Sequence, residues 1–151
     1  MGTFSRPRTT RWALGIVIVA LAAVLVALLI PDHATAGLGG TSWRLVAYGP
    51  ESAPVAAEAP ATLEFESNGR MGGRTGCNQF FGNYRAEDGR LWFVDDGLAF
   101  TTRDCDPVTA EGAQDAFFRA HLPDGAGYEQ TPDRLTLRFA NGQMAQYTLT
   151  P

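Results

Sequence analysis

The chain has 151 residues, 45% of them hydrophobic and 19% charged, which suits one folded domain of ordinary size and not two. Its 12 basic and 16 acidic residues give a net charge of −4, and every basic residue is an arginine. The absence of lysine removes Schiff-base, P-loop and lysine-base chemistry. The lack of a basic excess argues against a nucleic-acid partner.

The N-terminus carries Arg6, Arg8 and Arg11 and no acid before an unbroken apolar run from Ala13 to Ile30, which Pro31 and Asp32 end. A positive flank followed by such a run predicts a hydrophobic helix that is either an export signal or a single membrane span, with the arginines left in the cytoplasm. The 18 residues of the run would cover about 27 Å as a helix, enough for a hydrocarbon core. This favours an uncleaved anchor, with residues 13–30 as the membrane contact and the rest of the chain outside the cytoplasm. Ala34-Thr35-Ala36 offers the alternative, an A-x-A cleavage site that would release a secreted or periplasmic protein. Residues 1–36 are thus read as flank plus anchor or signal, and 37–151 as the exported domain. That domain has nine arginines and fifteen acids, 9 − 15 = −6.

Two cysteines, Cys77 and Cys105, lie in the exported part. In an oxidising compartment a pair forms one bridge. The loop it would close spans 105 − 77 = 28 positions, worth about 3–4 kcal/mol in chain entropy. The spacing is far from C-x-x-C, and no histidine stands at zinc-ligand spacing, so redox and metal readings are weaker.

In chain order, Leu38-Gly39-Gly40 reads as a loop. Thr41–Tyr48 reads as a strand with Trp43, Leu45 and Ala47 on one face, and Gly49–Pro60 as a flexible insertion. Asn68-Gly69, Asp88-Gly89 and Asn141-Gly142 are favoured centres of two-residue hairpins. They join Thr62–Ser67 to Arg70–Gly73, Asn83–Ala86 to Arg90–Val94, and Leu135–Phe139 to Met144–Leu149. Asp95-Asp96-Gly97 reads as an exposed turn. Asp106-Pro107 predicts the start of one helix, with Ala113, Ala116, Phe117 and Ala120 as its inward stripe and Leu122-Pro123-Asp124-Gly125 as its stop. Hairpins, one helix and a terminal β unit make the fold class α+β: mostly antiparallel β, as a curved sheet or partly open barrel.

Gly72 to Gly82 is the densest segment for chemistry. It lacks the Gly-Lys-Ser/Thr ending of a phosphate loop and reads instead as a bent strand that aims Cys77 at Cys105, with Asn78 capping or turning the backbone. Asp104 and Asp106 flank Cys105 without the rest of a calcium loop. A serine nucleophile would have only His121 as base in the exported part, and no serine sits in G-x-S-x-G. The aromatics Phe80, Phe81, Tyr84, Trp92 and Phe93 are expected mainly in the core. Phe81 or Trp92, if exposed, would mark a binding surface, with Arg103 as a further candidate.

The segments Gly40-Thr41-Ser42-Trp43-Arg44-Leu45, Gly76-Cys77-Asn78-Gln79-Phe80-Phe81-Gly82 and Thr101 to Cys105, with Glu111 leading the helix, together resemble the META domain, known also from HslJ-like heat-shock proteins. The resemblance covers about residues 38–150. The family signature before the second cysteine usually reads Thr-x-Met-Ala-Cys; here it is Thr101-Thr102-Arg103-Asp104-Cys105. The resemblance implies a compact antiparallel β domain with one helix, motif positions at Trp43, Gly76, Asn78, Gly82 and Thr101, and motif cysteines at Cys77 and Cys105. It implies stress response and envelope upkeep, and no catalytic residues or cofactor. The expected role is non-enzymatic binding of an envelope protein or a small hydrophobic ligand. The second reading is an inhibitor-like module that blocks a hydrolase such as lysozyme.

Overall fold

A computed structural model describes residues 37–151. The hydrophobic helix expected over residues 13–30, its arginine flank and the Ala34–Ala36 site lie outside the described residues. Among the described residues no helix is long and apolar enough to cross a membrane.

Nine strands form one antiparallel sheet: β1 (Thr41–Pro50), β2 (Val55–Ala56), β3 (Thr62–Phe65), β4 (Arg70–Arg74), β5 (Gln79–Glu87), β6 (Arg90–Phe100), β7 (Ala126–Gln130), β8 (Arg134–Arg138) and β9 (Gln143–Leu149). They are joined in the order β2-β1-β3-β4-β5-β6-β7-β8-β9, and β1 also pairs with β9. Eight strands therefore close into a barrel, with the two-residue β2 added beside β1. The ladder that closes it runs from Trp43↔Leu149 to Pro50↔Gln143. It is thinnest between β6 and β7, where only Arg90↔Gly127 and Leu91↔Ala126 pair. One helix, α1 (Ala110–His121), continues into a 3-10 turn (Leu122–Asp124) and connects β6 to β7.

Alternation builds the interior. Trp43, Leu63, Phe65, Met71, Leu91, Leu135 and Leu137 are all fully buried, each worth about 1.5–3 kcal/mol relative to exposure. The helix covers one end of the barrel, with Phe118 against Tyr48 and Tyr147, and Phe117 against Tyr48 and Phe139.

Several local expectations need correcting. Val46 is an extra residue in the β1–β9 ladder. The bulge shifts the phase of the strand, so Tyr48 replaces Ala47 in packing against the core. Gly49–Pro60 is not a free insertion: β2 pairs with Ala47 and Tyr48, and Ala59 is buried. Of the three predicted two-residue turns only Asp88-Gly89 is one, with φ of 50° and 73° between the paired Glu87 and Arg90. At Asn68-Gly69 and Asn141-Gly142 only the glycine has positive φ. Bonds Gly69 N→Glu66 O and Gly142 N→Phe139 O mark type I turns ending in a glycine bulge. Asp95–Gly97 does not end a strand; it is a bulge inside β6. The strand β7 carried no sequence signal.

The helix differs most. Its N-cap is Thr109, whose Oγ1 accepts from Gly112 N. Asp106 instead caps the preceding turn through Val108 N. Ala113, Ala116 and Ala120 are exposed and Phe117 half-buried. The buried face is Gly112, Gln114, Asp115 and Phe118: the barrel end offers carbonyls to Gln114 Nε2 and a hydroxyl and an amide to Asp115, while Gln114 Oε1 is buried without a partner among the described residues.

Candidate functional site

The polar side chains turned inward by α1 meet the loop between β4 and β5 and the segment that follows β6. The β4–β5 loop makes a tight bend at Thr75-Gly76-Cys77-Asn78. Thr75 N bonds to Asn78 O at 2.9 Å, and the single proton of the Thr75 hydroxyl goes to the Asp115 carboxylate, the nearer of its two acceptors, with Asn78 O also in reach. Gly76 is required twice over. Its φ is +117°, and a Cβ there would sit 3.1 Å from Glu111 O in the helix.

Asn78 is the hub of this latch. It is 2% exposed, and its amide is fully used. The two Nδ2 hydrogens are shared among Arg103 O, Asp115 Oδ2 and the weaker acceptor Cys105 Sγ, each 3.1 Å away. Oδ1 accepts from Thr101 Oγ1 and Arg103 N, both at 2.8 Å. Cys77 and Cys105 are disulfide-bonded across the same junction. Asp115 Oδ2 also takes Arg119 Nε at 2.8 Å, and the Arg119 guanidinium donates to Thr101 O and lies 4.8 Å from the Phe100 ring centre. Burial alone would raise the Asp115 pKa. The bonds from Thr75, Arg119 and Asn78, with the Arg119 charge, outweigh it and hold the carboxyl below its ordinary value. The group is a buried, ionised anchor with both oxygens engaged.

The META domain family matches residues 36–150. The chain belongs to the META domain family. Among solved structures, this META chain is similar to a protein from Burkholderia xenovorans determined by NMR, with 28% identity, a TM-score of 0.60, and coverage of 75% of this chain and 83% of that one. A second NMR structure is 25% identical with a TM-score of 0.54, covering 72% of this chain and 88% of the other. The crystal structure of a DUF4847 family protein from Bacteroides vulgatus shares the fold at 13% identity and a TM-score of 0.51, covering 74% and 93%. No curated protein matches.

The motif positions of this META domain occupy distinct places. Gly76, Asn78, Thr101 and both cysteines converge in the latch. Trp43 lies in the barrel interior, its indole bonded to Thr41 Oγ1 at 2.7 Å. Gly82 sits where a Cβ would meet Gly97 O at 2.8 Å, under the β6 bulge. The three candidate surface residues do not form one patch. Phe81 stands on the outer wall of β5 opposite Ala99, whereas Trp92 lies opposite Arg85, four residues further along β5. Arg103 borders the disulfide, at open depressions shared with Cys105 and Asp104. Thr75, Gln114 and Asp115 were not singled out from the sequence. The one available signal was the Asp115–Arg119 spacing of four on a helix.

Proposed function

We propose that this META domain is a non-enzymatic binding module of the cell envelope, acting outside the cytoplasm in envelope stress or upkeep. The observation that carries the reading is the latch itself. The buried polar side chains of the latch are bonded to one another, and the Asp115 carboxyl is held ionised, not poised for proton transfer near neutral pH. What remains for recognition is the outer surface, where Phe81 is 53% and Trp92 36% exposed. The disulfide suits an oxidising compartment. Residues 13–30 anchor the domain to the membrane, with cleavage after Ala36 as the alternative. Cofactors have no part in this reading.

The first test is intact mass in membrane and soluble extracytoplasmic fractions, with thiol alkylation before and after reduction. A full-length membrane species whose thiols react only after reduction supports the anchored module. A species beginning at Gly37 replaces the anchor with a secreted form, and cytoplasmic protein with free thiols overturns the reading. Photo-crosslinking from the outer barrel wall then asks for a partner: an envelope product supports binding, and no product in any envelope fraction removes it.

Acidity favours one second reading. The exported part carries −6, nine arginines against fifteen acids, which suits steering toward a basic hydrolase such as a lysozyme. Salt-sensitive inhibition of a basic muramidase supports it, and absence of binding at low salt removes it.

A further inference from the structure

Phe81 stands alone on the barrel wall. Its cross-strand neighbours are Gly72 on β4 and Ala99 on β6. Neither carries more than a methyl group, so no bulky cross-strand partner packs on the ring, Phe81 stays 53% exposed, and an open depression adjoins it on each side. Around it stand charges of both signs. Arg70 and Arg74 lie on β4 two residues either side of Gly72, Glu64 faces Gly72 from β3, and Asp95 lines the depression on the β6 side. These four charges, two cations and two carboxylates, cancel in net sign. Among the described residues neither arginine and not Glu64 has an ion-pair partner. Asp95 is held by Asn83 Nδ2 at 3.1 Å.

Resting on the binding-module reading, we propose that this wall binds a neutral pyranose glycan, with one sugar ring stacked on Phe81. A solitary ring offers too little apolar area for a stable protein interface, but matches the apolar face of a single sugar. A surround without net charge gives an anionic polymer no advantage. It does supply separate donors, the guanidiniums, and acceptors, the carboxylates, for hydroxyl groups that both give and take hydrogen bonds. From Gln79 to Asn83 the platform is about 13 Å long, room for two or three linked sugars.

The experiment titrates the ¹⁵N-labelled full chain in detergent micelles with a neutral chito-oligosaccharide, and in parallel with an oligogalacturonate of equal length. The neutral sugar is expected to shift the amides of Gly72, Phe81 and Ala99. Phe81→Ala, at an exposed position, should weaken it about tenfold, and Val108→Ala, at an exposed residue ahead of α1, should leave it unchanged. Absence of shifts, shifts equally large with Phe81→Ala, or tighter binding of the acidic probe overturns the proposal. If the sugar fails while photo-crosslinking still yields an envelope partner, only the glycan assignment falls; if both fail, the binding-module reading falls with it.

Discussion

The barrel interior and the heart of the latch at its helix-covered end (Thr75, Asn78 and Asp115) are both buried, yet they are held by different forces. The interior rests on alternating apolar side chains such as Leu63, Leu135 and Leu137, whose burial is non-directional and tolerates repacking. The latch rests on Asn78, Thr75 and Asp115, which must meet particular atoms of three separate segments. A missing partner in the interior leaves a cavity. A missing partner in the latch leaves a buried polar group or charge unbonded, at a higher cost. The disulfide lies in the latch, where the β6–α1 connection would otherwise depend on hydrogen bonds alone.

The largest expected effects come from one substitution in each region. Asn78→Leu keeps the branched shape but removes the bonds of Asn78 to Asp115 Oδ2 and to Arg103 O and N, and should cost about 4 kcal/mol. Leu137→Ala in the barrel should cost about 3 kcal/mol. Chemical denaturation of both variants measures the difference. If Asn78→Leu proves the milder change, the latch does not hold the end of the barrel. Next in size is reduction of Cys77–Cys105, expected to cost about 3–4 kcal/mol on the chain-entropy account. Because Asn78 binds the same two segments, reduced protein should keep its far-UV circular dichroism at room temperature. The combined reduced Asn78→Leu protein should fall by more than the sum if the two ties back each other up.

A smaller effect follows from Asp115. Its folded pKa is depressed, so the unfolded chain binds the proton more readily. The stability this group supplies is complete above the ordinary carboxyl value, near pH 4, and is lost as pH falls through the lower folded value. Denaturation midpoints between pH 5 and pH 2, compared with Asp115→Asn, isolate that contribution; parallel curves would show that Asp115 carries none of it. Smallest of all, Ala113→Glu on the exposed side of α1 should change stability by no more than about 0.5 kcal/mol. A large loss there would restore the alanine stripe as the buried face.

The misread helix shows where sequence reading stops. Ala113, Ala116, Phe117 and Ala120 form the better apolar stripe, yet Gln114 and Asp115 are the residues turned inward. Hydrophobic periodicity assumes an apolar partner, whereas this helix docks on strand ends, whose free carbonyls and hydroxyls call for polar side chains: Gln114 Nε2 reaches Ala59 O and Thr75 O. The strand β7, short and rich in polar residues, gave no pattern either; its place follows from pairing with β8.

By itself the sequence determined what depends on near neighbours in the chain: hairpins at Asn-Gly and Asp-Gly, strand alternation, the stop at Leu122–Gly125, and the family motif with its cysteine pair. Long-range packing settled that the sheet closes through β1 and β9, that Asn78 bonds to residues 25 and 37 positions away, and that Phe81 is left exposed between Gly72 and Ala99. Local signals arise from backbone geometry over a few residues. Closure, buried hydrogen bonds and an uncovered ring depend on which distant segments the folded barrel brings side by side.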